Sequence, residues 1–360
     1  MIDPDAFAVL IAEWCLGVEP GQQILIRTTT LAQEAAVALH RAVLERGGFP
    51  LLRLEPPGLE ADFFRHAREG QLDHVAPIEL HEASAADASV RIMAPASINP
   101  LAAVDPAALA RRARALTPWR EAQSARRWAL TLWPTAALAQ QAGMPEPEYA
   151  DFVQRALFLD QPDPVAAWVR LREEQGRVIE RLAPAREVRI ESAGTDLRLN
   201  VEGRTWINSD GRRNMPSGEV FTGPHEHSAN GHIHFDVPSS ARGVEVAGVD
   251  LTFRDGEVVA ARAHVGDPHL QAALATDPGA RCLGELGIGT NTGIDRATGS
   301  TLLDEKMAGT VHLALGRSYP ETGGVNQSAV HWDLICDLRS GGRVSVDGET
   351  LIEDGRFVWG

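Results

Sequence analysis

Apolar and polar positions change their spacing part-way along this chain, and the change divides it. Phe7, Leu10, Ile11 and Trp14 fall at helical spacing and predict a helix over residues 5–16. After a glycine-bounded turn at 17–21, the apolar run 23–27 predicts a short strand. The alanine- and leucine-rich stretch 32–46 predicts a helix stopped by Gly47 and Gly48. Strand and helix then alternate. Strands are predicted over 50–54, 88–93 and 128–133, and a helix over 62–69. Asp105 as N-cap, with Pro106 behind it, opens another helix. This alternation predicts an α/β fold with a doubly wound parallel sheet. Helical stretches at 135–142, 146–158 and 164–182 close this half, the last with charges on its solvated faces.

Beyond Pro184 the period shortens to two. Residues 187–191 and 197–201 alternate polar and apolar, as half-buried antiparallel strands do, around a turn at 194–196. Further strands are predicted over 232–237, 249–253, 258–264, 310–315, 330–336, 343–346 and 350–352. Asp-Gly pairs at 255–256, 347–348 and 354–355 are turn signals. The expected organisation is an α/β scaffold domain over 1–184 and a mostly antiparallel β (α+β), metal-binding catalytic domain over 185–360.

Composition narrows the function. A length of 360 residues suits two domains. A net charge of −15 argues against a nucleic-acid partner and against an anionic membrane surface. No apolar run is long enough to span a bilayer, and residues 1–5 do not begin a signal peptide. Cys15, Cys282 and Cys336 are too sparse for a disulfide framework, so a cytoplasmic setting is expected. Lys306 is the only lysine. The first predicted strand runs into Thr28-Thr29-Thr30-Leu31, without glycine. Neither a dinucleotide fingerprint nor a P-loop follows it, so the parallel sheet is expected to be scaffold and pocket wall.

The candidate chemistry lies in three islands between residues 217 and 333. The first is SGEVFTGP at 217–224 and the second LGELGIGTN at 283–291. The third runs from GTVH at 309–312 through Tyr319-Pro320 to His331-Trp332-Asp333. Carboxylates among glycines and apolar residues are costly to bury unless paired or coordinated. Carboxylate with imidazole suits zinc, cobalt or manganese. On a strand, His331 and Asp333 point to the same side and can reach one ion. Taken singly, each has a structural alternative. A lone histidine such as His312 is more often a core residue with a hydrogen-bond partner, the His331–Asp333 pair reads also as a structural one, and Glu219 and Glu285 as capping or ion-pair residues. Their joint occurrence favours a site.

These words, GEVFTGP, LGELGIGTN, GTVHLALGRSYP and VHWDLICD, resemble the thermophilic-type metallo-aminopeptidase family of aminopeptidase T, aminopeptidase S and leucyl aminopeptidase II. CLGVEPG at 15–21 and YADFVQRALFLD at 149–160 extend the resemblance over nearly the whole chain. It implies a two-metal centre held by Glu219, Glu285, His312, His331 and Asp333, with Tyr319 as the active-site tyrosine. The implied reaction removes N-terminal residues from short peptides through a metal-activated water. Tyr319 would stabilise the oxyanion, and Glu285 or Glu219 would serve as base. A homodimer enclosing its active sites is also implied.

Two other readings stay open. One is a ring-cleaving dioxygenase on a related scaffold, with one iron held by His312, His331 and Asp333. Retention of both Glu219 and Glu285 argues against it. The other is an inactive binding protein. The histidines in His225-Glu226-His227 and His232-Ile233-His234 flank Asn230-Gly231, read here as a hairpin turn. His225, His227 and His232 are expected to be exposed or at the pocket rim. The family commonly has Asp where His227 stands.

Overall fold

The computed structural model describes residues 2–241 and 244–359. By compactness the chain forms two units, Met1–Trp168 with Gly211–Pro216, and Val169–Asp210 with Ser217–Gly360.

The first unit is built on a five-stranded, wholly parallel sheet. Its order is Phe49–Glu55, Gln23–Thr29, Ala88–Met93, Arg127–Leu132, Asn214–Met215. The order turns back at the first strand in sequence, as doubly wound sheets do. Ile24, Ile26, Val90 and Ile92 are buried, and Phe7 meets Trp133 edge-to-face at 5.3 Å. Helix starts follow the sequence signals. Asp105 accepts from the Ala107 N–H at 3.0 Å and opens Pro106–Ala115. Asn214–Met215, two residues long, was not predictable from periodicity.

The second unit holds two sheets over one continuous core. A nine-stranded antiparallel sheet includes Glu187–Ser192, Thr195–Asn200, Asn230–Phe235, Val244–Arg254 and Glu257–Val265. A five-stranded antiparallel sheet runs His331–Asp337, Thr310–Gly316, Leu283–Gly289, Glu219–Thr222, Ile207–Ser209. Val188, Ile190, Leu197 and Phe235 of one sheet share the core with Leu286, Leu313 and Leu334 of the other. Val178 and Leu182 of the helix Pro164–Leu182 join them. The predicted α/β and antiparallel β architecture is borne out. One local reading is corrected. Asn230 and Gly231 make no hairpin turn but begin the strand Asn230–Phe235. A Cβ on Gly231 would lie 2.1 Å from the Asp196 carbonyl oxygen, so glycine serves close strand approach there.

Candidate metal centre

Strand register places the five predicted ligands on one face of the five-stranded sheet, because directly paired residues point the same way. Glu219 pairs with Gly289. Phe221 pairs with Gly287, and Gly287 with His312. Glu285 pairs with Ala314, and Ala314 with Asp333. His331 pairs with Gly316. The opposite face carries Val220, Leu286, Ile288, Val311, Leu313, Trp332 and Leu334, all in the core. The sheet is thus greasy on one side and ionisable on the other.

Two local features make this possible. The register between Leu283–Gly289 and Thr310–Gly316 shifts between Leu283 and Glu285. Leu283 pairs with Leu315 and Glu285 with Ala314, so Gly284 is a bulge. Without it, Glu285 would face the core, since Leu283 and Leu286 both do. The second feature is Gly287. A Cβ there would lie 2.1 Å from the His312 Cε1 and Nε2 atoms. The glycine makes the space in which the imidazole lies.

The side chains converge. Glu219, Glu285, His312 and Asp333 are buried, and His331 is half-buried at the rim. His312 Nε2 is 3.2 Å from Glu285 Oε1 and 3.4 Å from Glu219 Oε2. His331 Nε2 is 3.7 Å from both Glu285 Oε2 and Asp333 Oδ1. Glu219, Glu285 and His312 bring three ligand atoms within 4.8 Å of one another, and so do Glu285, His331 and Asp333. Glu285 belongs to both triads. His331 Nδ1 donates to the Arg317 carbonyl at 2.8 Å, which leaves Nε2 as a lone-pair donor toward the carboxylates. Glu219 Oε2 is buried without a hydrogen-bond partner among the described residues, as is His312 Nδ1. A buried carboxylate oxygen with no donor, beside an imidazole aimed at it, is the chemistry a divalent cation satisfies. These residues fit a metal centre.

The electrostatics of the apoprotein follow from this crowding. Burial pushes Asp333 up to about 7, with the Glu305 and Glu285 charges adding to the rise. Burial also raises Glu219. Burial alone would depress His312, but the Glu285 hydrogen bond and the Glu219, Glu285 and Asp333 charges carry it up to about 9.

Tyr319 is half-buried beside this face, its ring 5.0 Å from that of His331 and 5.8 Å from that of Phe221. Burial, then the Glu285 and Asp333 charges, hold its hydroxyl well above its ordinary value. His225, His227 and His232 are exposed and lie in neither triad. His225 Nε2 is 2.8 Å from the Glu202 carbonyl oxygen. Two groups at the site were not singled out from the sequence as functional, Glu305 and Lys306. Lys306 is fully buried and paired with both Glu219 and Glu305. The signal available was that this is the single lysine, four residues before the His312 strand.

Residues 3–357 match the family described as thermophilic metalloprotease (M29). The chain belongs to that family. It is therefore an enzyme of a metal-dependent peptide-bond hydrolase family, as the motif resemblance implied. Aminopeptidase 2 of Geobacillus stearothermophilus is 30% identical to this M29 enzyme over 408 residues, covering 99% of this chain and 97% of that protein. The solved structure of wild-type AmpT from Thermus thermophilus matches it with a TM-score of 0.84 at 25% identity, covering 99% of each chain. That of 2,5-dihydroxypyridine dioxygenase from Pseudomonas putida KT2440 matches with a TM-score of 0.58 at 14% identity. It covers 99% of this chain and 96% of that one, a likeness of fold alone. M29 membership implies a divalent metal cofactor.

Proposed function

We propose that this M29 enzyme is a two-metal aminopeptidase that removes N-terminal residues from short peptides. The observation that carries the proposal is the sharing of Glu285 between two ligand triads, with Oε1 toward His312 and Oε2 toward His331. One divalent ion would be held by Glu219, Glu285 and His312, and a second by Glu285, His331 and Asp333. Glu285 would serve both positions. Zinc, cobalt and manganese suit this nitrogen and oxygen set. Bound there, the ions would supply Lewis acidity to the scissile carbonyl and to the attacking water.

The remaining work belongs to the chain's own residues. Arg317 fixes the His331 tautomer through its carbonyl. Tyr319 stays protonated at neutral pH, because burial and nearby carboxylates oppose its ionisation. Its hydroxyl therefore donates a hydrogen bond to the oxyanion formed at the scissile carbonyl. The proton of the attacking water would go to a carboxylate of this face, Glu285 or Glu219. A substrate's free α-amine would bind a metal ion or a carboxylate of this face, which would confine cleavage to the N-terminus. Cys15, Cys282 and Cys336 are buried, and so sparse a cysteine set supports a cytoplasmic setting. A homodimer completes the proposal and is checked by sedimentation.

Metal analysis of stripped and reloaded protein, with hydrolysis of a leucyl chromogenic amide, tests the proposal. The expected result is about two equivalents of zinc, cobalt or manganese per chain and metal-dependent hydrolysis. A single iron per chain, no amide hydrolysis and oxygen uptake with a hydroxylated pyridine would overturn it.

A further inference from the structure

The single lysine of this chain is used inside the acidic face. Lys306 Nζ lies 3.0 Å from Glu219 Oε1 and donates as well to Glu305 Oε1. Glu219 Oε2 is left for the first triad, 3.4 Å from His312 Nε2 and without a hydrogen-bond partner among the described residues. The backbone is built around this contact. Gly289 pairs with Glu219, and a Cβ on Gly289 would lie 2.0 Å from the Met307 carbonyl oxygen. The segment carrying Lys306 therefore passes directly over the glutamate strand. Asn291 fixes it, its N–H donating to the Lys306 carbonyl at 2.9 Å and its carbonyl accepting from the Ala308 N–H at 3.2 Å. Asp304, also buried, accepts from the Thr298 N–H, the Thr298 hydroxyl and the Gly299 N–H, and anchors the turn that presents Glu305.

A buried ammonium is costly unless paired, and this one is paired on two sides. Its pairing is uneven with respect to the two triads. Among the described residues, Lys306 is ion-paired with Glu219 of the first and with no member of the second. We propose that Lys306 is a positioning residue acting as an internal cation of the metal centre. It holds Glu219 by Oε1 so that Oε2 alone faces the first triad, and its charge makes that position the weaker of the two for a divalent cation. The inference rests on the two-metal reading and adds an order of occupancy to it: the Glu285–His331–Asp333 position fills first. In the metal-free protein the same ammonium compensates part of the carboxylate charge.

Two substitutions shift the weaker position in opposite directions. Lys306→Met removes the charge and frees Glu219 Oε1, so cation binding there tightens. Glu305→Gln leaves the ammonium uncompensated, so it loosens. A unit charge about 4 Å away at an effective dielectric near 20 corresponds to about a thousandfold, so about tenfold is the least change expected in each case. A merely structural lysine would weaken binding in both variants.

The test is a calorimetric titration of manganese into the chelator-stripped full-length parent and both variants, with melting temperatures of stripped and loaded protein as a second readout. The expected parent isotherm has a tight and a weaker step. In Lys306→Met the weaker step tightens about tenfold or more and loading raises the Tm more than in the parent. In Glu305→Gln the weaker step loosens. Should Lys306→Met fail to fold when stripped, Lys306→Gln purified with manganese and then dialysed carries the same comparison. If the lysine and glutamate variants both loosen, or neither moves, the inference about Lys306 falls while the two-metal reading stands. A parent that binds no manganese overturns both.

Discussion

Glu285 has one carboxylate oxygen toward each histidine, so its two oxygens are not interchangeable duties of a spare ligand. Glu285→Gln keeps the shape but loses the charge and one acceptor. Metal content should drop from about two to one or fewer per chain, and hydrolysis should fall at least about a thousandfold. Retained stoichiometry with retained turnover would remove it from the centre. Tyr319 should behave differently. It touches the His331 ring and lies in neither triad, so Tyr319→Phe should leave metal content intact. The expected loss is about 10²–10³ in kcat with little change in KM, since an oxyanion donor acts on the transition state. An equal loss of metal would make the tyrosine structural. At this scale the shared side of His331 and Asp333 was legible, because residues two apart on a strand point the same way. Lys306 was not, because sequence does not reveal that a lone lysine is fully buried.

The strand Leu283–Gly289 carries Glu285, and pattern reading passed over it. Glycine is depleted in strands, and this one has glycine at 284, 287 and 289. The Gly284 bulge also breaks the alternation, so Leu283 and Leu286 share the core although three residues apart. Its neighbours were legible for the opposite reason. Thr310–Gly316 and His331–Asp337 are rich in β-branched, aromatic and leucine residues, and their period of two is intact. Glu219–Thr222 was passed over as well, its four residues set between Gly218 and Gly223. The glycines that hid the strand are what the site needs. Gly287→Ala would drive a methyl into the His312 ring. The ring cannot retreat, since it is fully buried, so the variant should lose about 1–3 kcal/mol of stability. It should also lose binding at the Glu219–Glu285–His312 position before the other. Both follow from a denaturant melt and a metal titration of one preparation, and an alanine variant with parental stability and affinity would show that the imidazole lies elsewhere in solution.

For the whole molecule, the metal-free protein should respond to pH in the direction opposite to a protein held by ordinary ion-paired carboxylates. Asp333 is raised in the folded state from 3.8 to about 7, so between those values the fold holds a proton that the unfolded chain has released. Stability therefore falls as pH rises through that window. His312 is raised from 6.5 to about 9. Its contribution is fully present below 6.5 and is lost as pH rises through about 9, the same sign. Divalent cations replace those protons, so their binding releases protons and tightens with pH. The Tm of chelator-stripped protein should then decline from about pH 6 to about pH 9, while the gap between stripped and loaded protein widens. Scanning calorimetry at three pH values in that range, with and without manganese, decides it. A stripped protein whose Tm is flat or rises would mean that Asp333 and His312 do not share this crowded face. A gap that stays constant would mean that the cation enters somewhere other than the two triads.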